Sequence, residues 1–303
     1  MNRSRPIMLL LLILMLAITL MLNGCAGNPP VSSRPEHVVT TSISPLADLI
    51  RQVAGNRVTV VNLVPAGSDP HDYDPKPSDM RQVAASVIFF ANGVGEELYL
   101  DKLVKNAGNN KLQVIVLSDG LPILEKTAAS PGNPHLWLDV QNSMAYVEKI
   151  RDALGQAFPA DKDYFTQNAQ AYLRQLHDLE TWVQTQVAAI PAENRKMIVF
   201  HNAWSYYAQR YGLTVLRPVV GAGESEPSAK DYAELLSLIK DNHVRAVFGE
   251  AGFNPKLVQQ LAHDAGVQYV GNLHDDTLSD TVGFNSYLNM IKSDTNAIVA
   301  ALR

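Results

Sequence analysis

Short apolar segments alternate with amphipathic segments from residue 37 to the end of the chain. In the first half, the apolar segments predict four strands, at 37–41, 58–64, 87–91 and 113–117. Between the first two, residues 46–54 have helical spacing and are followed by Gly55. Because helical segments separate the strands, the pattern predicts a parallel sheet with right-handed crossovers.

The same order of elements recurs in the second half. Its predicted strands lie at 197–200, 213–220, 244–249 and 268–273. A predicted helix over 204–211 is followed by Gly212, a residue that commonly ends helices. We therefore expect an α/β fold with two similar lobes, 37–160 and 191–303, each a four-stranded parallel sheet with helices.

One long helix is predicted between the lobes, over 161–190, with Pro159 before it and Pro191 after it. Its apolar residues at helical spacing are Tyr172, Leu173, Leu176, Leu179, Trp182, Val183 and Val187. About 30 residues at a rise of 1.5 Å span roughly 45 Å. A single rod of this kind would limit how far the two lobes can hinge.

The N-terminal segment has a different pattern. Two arginines precede an apolar run over 7–22, which is shorter than the roughly 20 residues that span a bilayer and is typical of a signal peptide over 1–24. The only cysteine, Cys25, ends the sequence L-N-G-C, which resembles a bacterial lipobox. That resemblance implies a lipidated Cys25 and a tether over 25–36, which would hold the body outside the cytoplasm. The alternative is an uncleaved membrane anchor.

Composition narrows the functional classes. The 303 residues include 25 Lys and Arg against 30 Asp and Glu, a net charge of −5, and this excludes the cationic footprint of a nucleic-acid binder. An apolar fraction of 47% excludes a disordered chain. A single cysteine excludes a disulfide scaffold and any CxxC metal site.

Four side chains that can bind metal follow the predicted strands. His71 lies in the loop after the second strand, and His135 follows the loop that leaves the fourth. His201 directly ends the fifth strand, and Asp276 comes just past the eighth. Ligands bind at the carboxyl ends of strands in open α/β sheets, and three imidazoles with one carboxylate suit a four-coordinate divalent cation.

Several motifs resemble those of a known family. They are D-P-H-D-Y-D-P-K-P-S-D (69–79), N-P-H-L-W-L-D (133–139), F-H-N-A-W-S-Y-Y-A-Q-R-Y-G-L (200–213), E-P-S-A-K-D (226–231) and F-G-E-A-G-F-N-P-K (248–256). Together they resemble the zinc and manganese receptors of ABC transporters, over essentially all of 37–303. The resemblance implies a metal between the lobes, held by His71, His135, His201 and Asp276.

A receptor of this kind would capture a divalent metal outside the cytoplasm and deliver it to an ABC permease for import. We expect a monomer that meets the membrane through its lipid anchor, binds no nucleic acid and is not an enzyme. The alternative from a different functional class is a secreted zinc hydrolase, with Glu250 or Glu226 as base. A fourth protein ligand would close its coordination sphere, however, and no HExxH or GxSxG motif occurs. A receptor for an organic ligand would need an aromatic and arginine lining instead.

Neighbouring residues leave two points open. His274 is an alternative to Asp276, because an extended segment would put residues 274 and 276 on one face. Asp275, between them, is a further alternative. Asn133 stands where the family usually has Asp, which bears on affinity more than on the existence of the site. Three carboxylates are candidates for holding an imidazole N–H, a role that metal sites usually require: Asp139, Glu226 and Glu250.

The ligand chemistry favours zinc. Imidazole suits zinc, whereas manganese prefers oxygen-rich sites. In the resembling family, His at the third ligand position favours zinc and Glu favours manganese, and this chain has His201. Manganese and Fe(II) are the alternatives.

Overall fold

The structure is a computed structural model. It describes residues 37–65, 67–221 and 225–303. The predicted signal peptide (1–24) and the lipidated Cys25 with its tether (25–36) lie outside the described residues. Among the described residues, no helix is both long and apolar enough to cross a membrane.

Eight strands and nine α-helices form within these ranges. The first half contains β1 (Val38–Thr41), α1 (Ser44–Ala54), β2 (Thr59–Asn62), α2 (Pro77–Ala85), β3 (Ile88–Ala91), α3 (Leu100–Ala107), β4 (Gln113–Val116) and α4 (Val140–Ala157). The long helix α5 spans Lys162–Ala188. The second half contains β5 (Lys196–Val199), α6 (Ser205–Tyr211), β6 (Thr214–Pro218), α7 (Ala229–Asp241), β7 (Ala246–Glu250), α8 (Lys256–Ala265), β8 (Gln268–Leu273) and α9 (Tyr287–Leu302).

The strands form two parallel sheets with the same topology, in the orders β2-β1-β3-β4 and β6-β5-β7-β8. This confirms the predicted α/β fold with two similar four-stranded sheets. In each sheet the direction of the crossovers reverses between the two central strands, and ligands commonly bind in the crevice at such a point. The loops at the carboxyl ends of both sheets are therefore the ones expected to line a site.

Alternate residues of the central strands face two different cores. In β3, Ile88 and Phe90 pack into the main core, whereas Phe89 faces a smaller cluster under α2 and α3. In β5, Met197 faces the main core and Ile198 faces the other side. The main core thus runs without a break from one sheet to the other, and both faces of each sheet are covered, as parallel sheets require.

The long helix α5 packs at the centre of this shared core. Its 27 residues give a length of about 40 Å. The buried side chains are Phe165, Ala169, Tyr172, Leu176, Leu179, Glu180, Val183 and Val187. Residues His37–Arg303 form one compact unit, so the lobe boundaries at 160 and 190 stay predictions.

Candidate metal centre

The four candidate ligands lie together at the carboxyl ends of the two sheets. His71 lies in the loop after β2, and His135 precedes a short 3-10 helix, Leu136–Leu138. His201 follows the last residue of β5 by two positions, and Asp276 follows β8 by three. All strands of a parallel sheet have their carboxyl ends at the same edge. Two candidate ligands from each half of the chain therefore meet in one place.

The potential ligand atoms of these four side chains all lie within 4.8 Å of one another. Asp276 Oδ1 is 3.4 Å from His135 Nε2. Asp276 Oδ2 is 3.6 Å from His71 Nε2 and 3.8 Å from His201 Nε2. The Nε2 atoms of His135 and His201 are 3.0 Å apart. Every imidazole therefore presents its Nε2 atom to the same small volume.

The outer nitrogens of two rings donate to fixed oxygens. His201 Nδ1 donates to Glu250 Oε2 at 2.5 Å, and His135 Nδ1 donates to Asn133 Oδ1 at 2.9 Å. Carboxylate and amide oxygens only accept hydrogen bonds, so Nδ1 of each ring carries a proton. The Nε2 atoms of His135 and His201 consequently face each other, as they do in histidines that share a metal.

Asn133 also fixes the loop that carries His135. The preceding Gly132 has φ +115°, and a Cβ atom there would collide with the carbonyl oxygen of Leu124. Asn133 N–H donates to that same carbonyl at 2.9 Å, and its side-chain amide donates to Asn202 O at 2.6 Å. Sequence reasoning noted Asn133 only as a departure from the family, although its position two residues before His135 was a usable signal.

Burial favours the neutral form of two of the rings. It lowers the pKa of His71 and lowers that of His135 more strongly, and the nearby His201 lowers both further. Both imidazoles are therefore neutral at pH 7, which is the form that binds metal.

His71 is the ligand candidate nearest to solvent. Its side chain is 26% exposed, against 4% for His135 and 8% for His201. It also lines an open cavity of about 510 Å³ beside Tyr99 and Lys102. An ion would therefore reach the cluster most directly from the His71 side.

The structure separates the two alternatives to Asp276. The chain bends after β8, so residues 274 and 276 do not share a face. The His274 ring stacks on Phe284 with centroids 3.9 Å apart, and its Nδ1 atom donates to the carbonyl oxygen of Thr277. Asp275 lies on the outer side of His201, with Oδ2 3.8 Å from Nδ1. Of these three residues, only Asp276 lies in the same cluster as the Nε2 atoms of the imidazoles.

Asp275, His201 and Glu250 form a second group of atoms that could hold a metal. In this group, however, His201 Nδ1 is already bound to Glu250. Burial, followed by the charge of Glu250, raises the pKa of Asp275 well above its usual range. These two carboxyl groups therefore occupy the outer side of His201.

The three carboxylates nominated as outer partners differ in position. Glu250 contacts His201 as described above. Asp139 instead caps α4, where it accepts from Gln141 N–H at 2.8 Å and lies 3.8 Å from Arg210 Nε. Glu226 is exposed and lines a surface depression beside Arg217. Among the described residues, neither Asp139 nor Glu226 belongs to a group that could hold a metal.

Sequence reasoning did not single out Glu96, which lies in the loop after β3. Its Oε2 atom is 3.9 Å from His71 Nδ1, and its side chain is fully buried. Burial, and then the charge of Asp276, raises the pKa of Glu96 well above its usual range. The available signal was its place at the carboxyl end of a central strand.

Comparisons with known proteins identify the family of this chain. A model of the family described as "ZnuA: Zinc-uptake complex component A periplasmic" matches residues 39–301. The manganese-binding lipoprotein MntA of Halalkalibacterium halodurans is 32% identical over 291 residues, which are 95% of this chain and 96% of that relative. The iron-binding protein YfeA of Yersinia pestis is 28% identical over 277 residues, 90% of this chain and 88% of that relative.

A solved structure extends the likeness to the fold. The manganese-bound form of a mutant periplasmic metal-binding protein from Candidatus Liberibacter asiaticus has a TM-score of 0.81 at 25% identity. The match covers 88% of this chain and 100% of the other.

The relatives carry zinc, manganese or iron in their names, so they support a divalent metal without deciding which one. Their descriptions as periplasmic or as lipoproteins support work outside the cytoplasm. The family consists of solute-binding receptors, which excludes the alternative of a zinc hydrolase. The chain therefore belongs to the ZnuA family of periplasmic metal-binding receptors, which work with ABC transporters and are not enzymes.

Proposed function

We propose that this protein captures zinc outside the cytoplasm, with His71, His135, His201 and Asp276 as ligands. The observation that carries the proposal is the 3.0 Å separation of the His135 and His201 Nε2 atoms. Both Nδ1 protons are engaged, so the two Nε2 atoms face each other beside a carboxylate. Two nitrogen atoms at this distance need a proton or a cation between them, and the adjacent carboxylate of Asp276 favours a metal cation.

The spacing of the donor atoms supports a small divalent ion. Zinc bonds of about 2.0–2.2 Å in a tetrahedron imply donor atoms about 3.3 to 3.6 Å apart. The separations from Asp276 to the three Nε2 atoms are 3.4, 3.6 and 3.8 Å. Small side-chain adjustments would therefore complete the coordination sphere.

Donor chemistry supports zinc over the other metals. The set consists of three imidazole nitrogens and one carboxylate, and nitrogen-rich sets suit zinc better than manganese. A manganese or iron receptor of the same type is the alternative. His201 is the residue that distinguishes zinc from manganese, because a carboxylate at that position would make two of the four ligands oxygen donors.

The first test is zinc titration against a competing chelator, with stability followed by thermal unfolding. Wild type should bind one zinc ion, and zinc at about 1,000 times its dissociation constant should add about 4 kcal/mol of stability. His135→Ala should lose about 100-fold in affinity or more. His263→Ala removes an exposed histidine and is the matched control. A metal analysis without zinc, manganese or iron, and no response to chelator, would contradict the proposal.

The second test addresses the choice of metal. Wild type should retain zinc when zinc and manganese are present in equal amounts, and His201→Glu should raise the share of manganese. If wild type already prefers manganese or iron in this competition, the zinc assignment is wrong and the alternative holds.

We also propose that the mature protein is a monomer, anchored through a lipidated Cys25, that hands its metal to an ABC permease. The L-N-G-C sequence supports the anchor, and two or more acyl chains hold a protein stably on a membrane. Cys25→Ser should abolish lipidation and change partitioning into detergent. Unchanged partitioning would contradict the anchor, and a stable dimer in sedimentation would contradict the monomer.

A further inference from the structure

Each of the three imidazoles directs Nε2 to the common centre and Nδ1 outward. For His201 and His135 the outward nitrogen meets an oxygen, from Glu250 and Asn133 respectively. The outward nitrogen of His71 points toward Glu96, whose Oε2 atom is 3.9 Å away. Glu96 thus occupies the place of the third outer oxygen, but at a distance too long for a hydrogen bond.

The surroundings of Glu96 are unusual for a buried acid. The side chain is fully buried, and neither carboxyl oxygen has a hydrogen-bond donor among the described residues. The charges that act on it most are those of other carboxylates, first Asp276 and then Glu97. A buried acid without donors lowers stability, so its presence needs an explanation other than the packing of the loop.

The adjacent Glu97 shows what a structural acid looks like in the same loop. Its Oε1 atom accepts from Ser42 Oγ at 2.6 Å and from Asn92 N–H at 2.7 Å. Its Oε2 atom accepts from Gly93 N–H at 3.0 Å. Glu97 therefore fixes the turn after β3, whereas Glu96 contributes nothing of this kind.

On the basis of the proposed function, we infer that Glu96 is a positioning residue for His71. With a divalent cation at His71 Nε2, Glu96 accepts the Nδ1 proton in a hydrogen bond and holds the ring against the metal. The 3.9 Å gap closes by a small movement of His71, the most exposed of the three imidazoles. An acidic acceptor on the outer nitrogen makes a metal-bound imidazole a stronger donor, an effect worth 10–100-fold in affinity at other metal sites.

The charge balance points the same way. Without a metal, Glu96 adds a carboxyl group to a centre that already contains Asp276, and the two repel each other. A bound divalent cation offsets that repulsion. Glu96 should therefore favour the metal-bound protein at the expense of the metal-free one.

The test compares Glu96→Gln and Glu96→Leu with Glu97→Gln as the matched neighbouring control. Both Glu96 variants should bind zinc roughly 10–100-fold more weakly than wild type, while their metal-free melting temperatures should not fall. Glu97→Gln should lower the metal-free melting temperature, because its amide would face the N–H groups of Asn92 and Gly93. If Glu96 had a purely structural role, its replacement would lower the metal-free melting temperature and the zinc affinity together.

A spectroscopic measurement checks the contact itself. In zinc-loaded protein with ¹⁵N-labelled histidine, the His71 Nδ1–H resonance should show a strong hydrogen bond in wild type and lose it in Glu96→Leu. Zinc affinity within about threefold of wild type in Glu96→Leu would overturn the inference, as would an unchanged resonance. If wild type binds neither zinc nor another divalent metal, the proposed function fails first and the inference fails with it.

Discussion

The indole of Trp137 is hydrogen-bonded to the backbone of Asp275, with Nε1 donating to the carbonyl oxygen at 2.7 Å. Trp137 comes two residues after His135, and Asp275 directly precedes Asp276. The bond therefore links a candidate ligand of the first half of the chain to one of the second half. Both residues are buried, so the bond is shielded from water.

Replacing Trp137 by Phe should loosen this connection. The Asp275 carbonyl would lose its donor in a buried setting, which costs about 1–3 kcal/mol of the free energy of unfolding. Zinc affinity should fall too, because His135 and Asp276 would no longer be held in register. Trp182→Phe, on the partly buried face of α5, is the control. Equal losses of stability and zinc affinity in the two variants would contradict this role of the Trp137 hydrogen bond.

Replacing Glu250 by Gln should weaken zinc binding about 10–100-fold. Glutamine keeps the shape of the side chain but removes the charge of the carboxylate, whose Oε2 atom accepts from His201 Nδ1 at 2.5 Å. Chelator competition measures the change, with Glu226→Gln as control, since that residue is exposed. Equal zinc affinities of Glu250→Gln and Glu226→Gln would contradict the role assigned to Glu250.

Asp139 should make the metal-free protein less stable as the pH rises from about 4 to 6. Burial raises its folded-state pKa to about 6, whereas its unfolded value is about 3.9. The stability linked to its proton is complete below the lower value and is lost as the pH passes the higher one. The loss amounts to about 2–3 kcal/mol.

The variant Asp139→Asn isolates this effect, because Asn caps a helix as well as Asp does. Urea unfolding should give equal stabilities for variant and wild type near pH 4 and a more stable variant at pH 7. Asp152→Asn alters an exposed carboxylate of the same helix and should leave the pH dependence unchanged. If the free energy of unfolding depended on pH in the same way for Asp139→Asn and wild type, the prediction would be wrong.

Local periodicity predicted most of the fold. The long helix, expected over 161–190, spans Lys162–Ala188, and the strand expected over 268–273 is Gln268–Leu273. Such elements depend on the spacing of apolar residues and on nearby Pro and Gly, all of which are visible in the chain. The strand expected over 213–220 is shorter, Thr214–Pro218, because strand ends depend on pairing with a neighbour.

The sequence by itself determined which edge of the fold would carry the site. Residues that follow parallel strands must gather at one edge, so His71, His135, His201 and Asp276 could be nominated from their order alone. Three of the family motifs narrowed the same set, because they contain the candidates His71, His135 and His201 directly.

Only the tertiary structure decided what surrounds each imidazole. It turns His274 onto Phe284, leaves Glu226 in solvent and uses Asp139 as a helix cap. Of the three carboxylates nominated from the sequence, it brings only Glu250 to an outer nitrogen, and it adds Asn133 and Glu96. These contacts join residues far apart in the chain, and they depend on loop bends and side-chain directions that no local spacing of residues encodes.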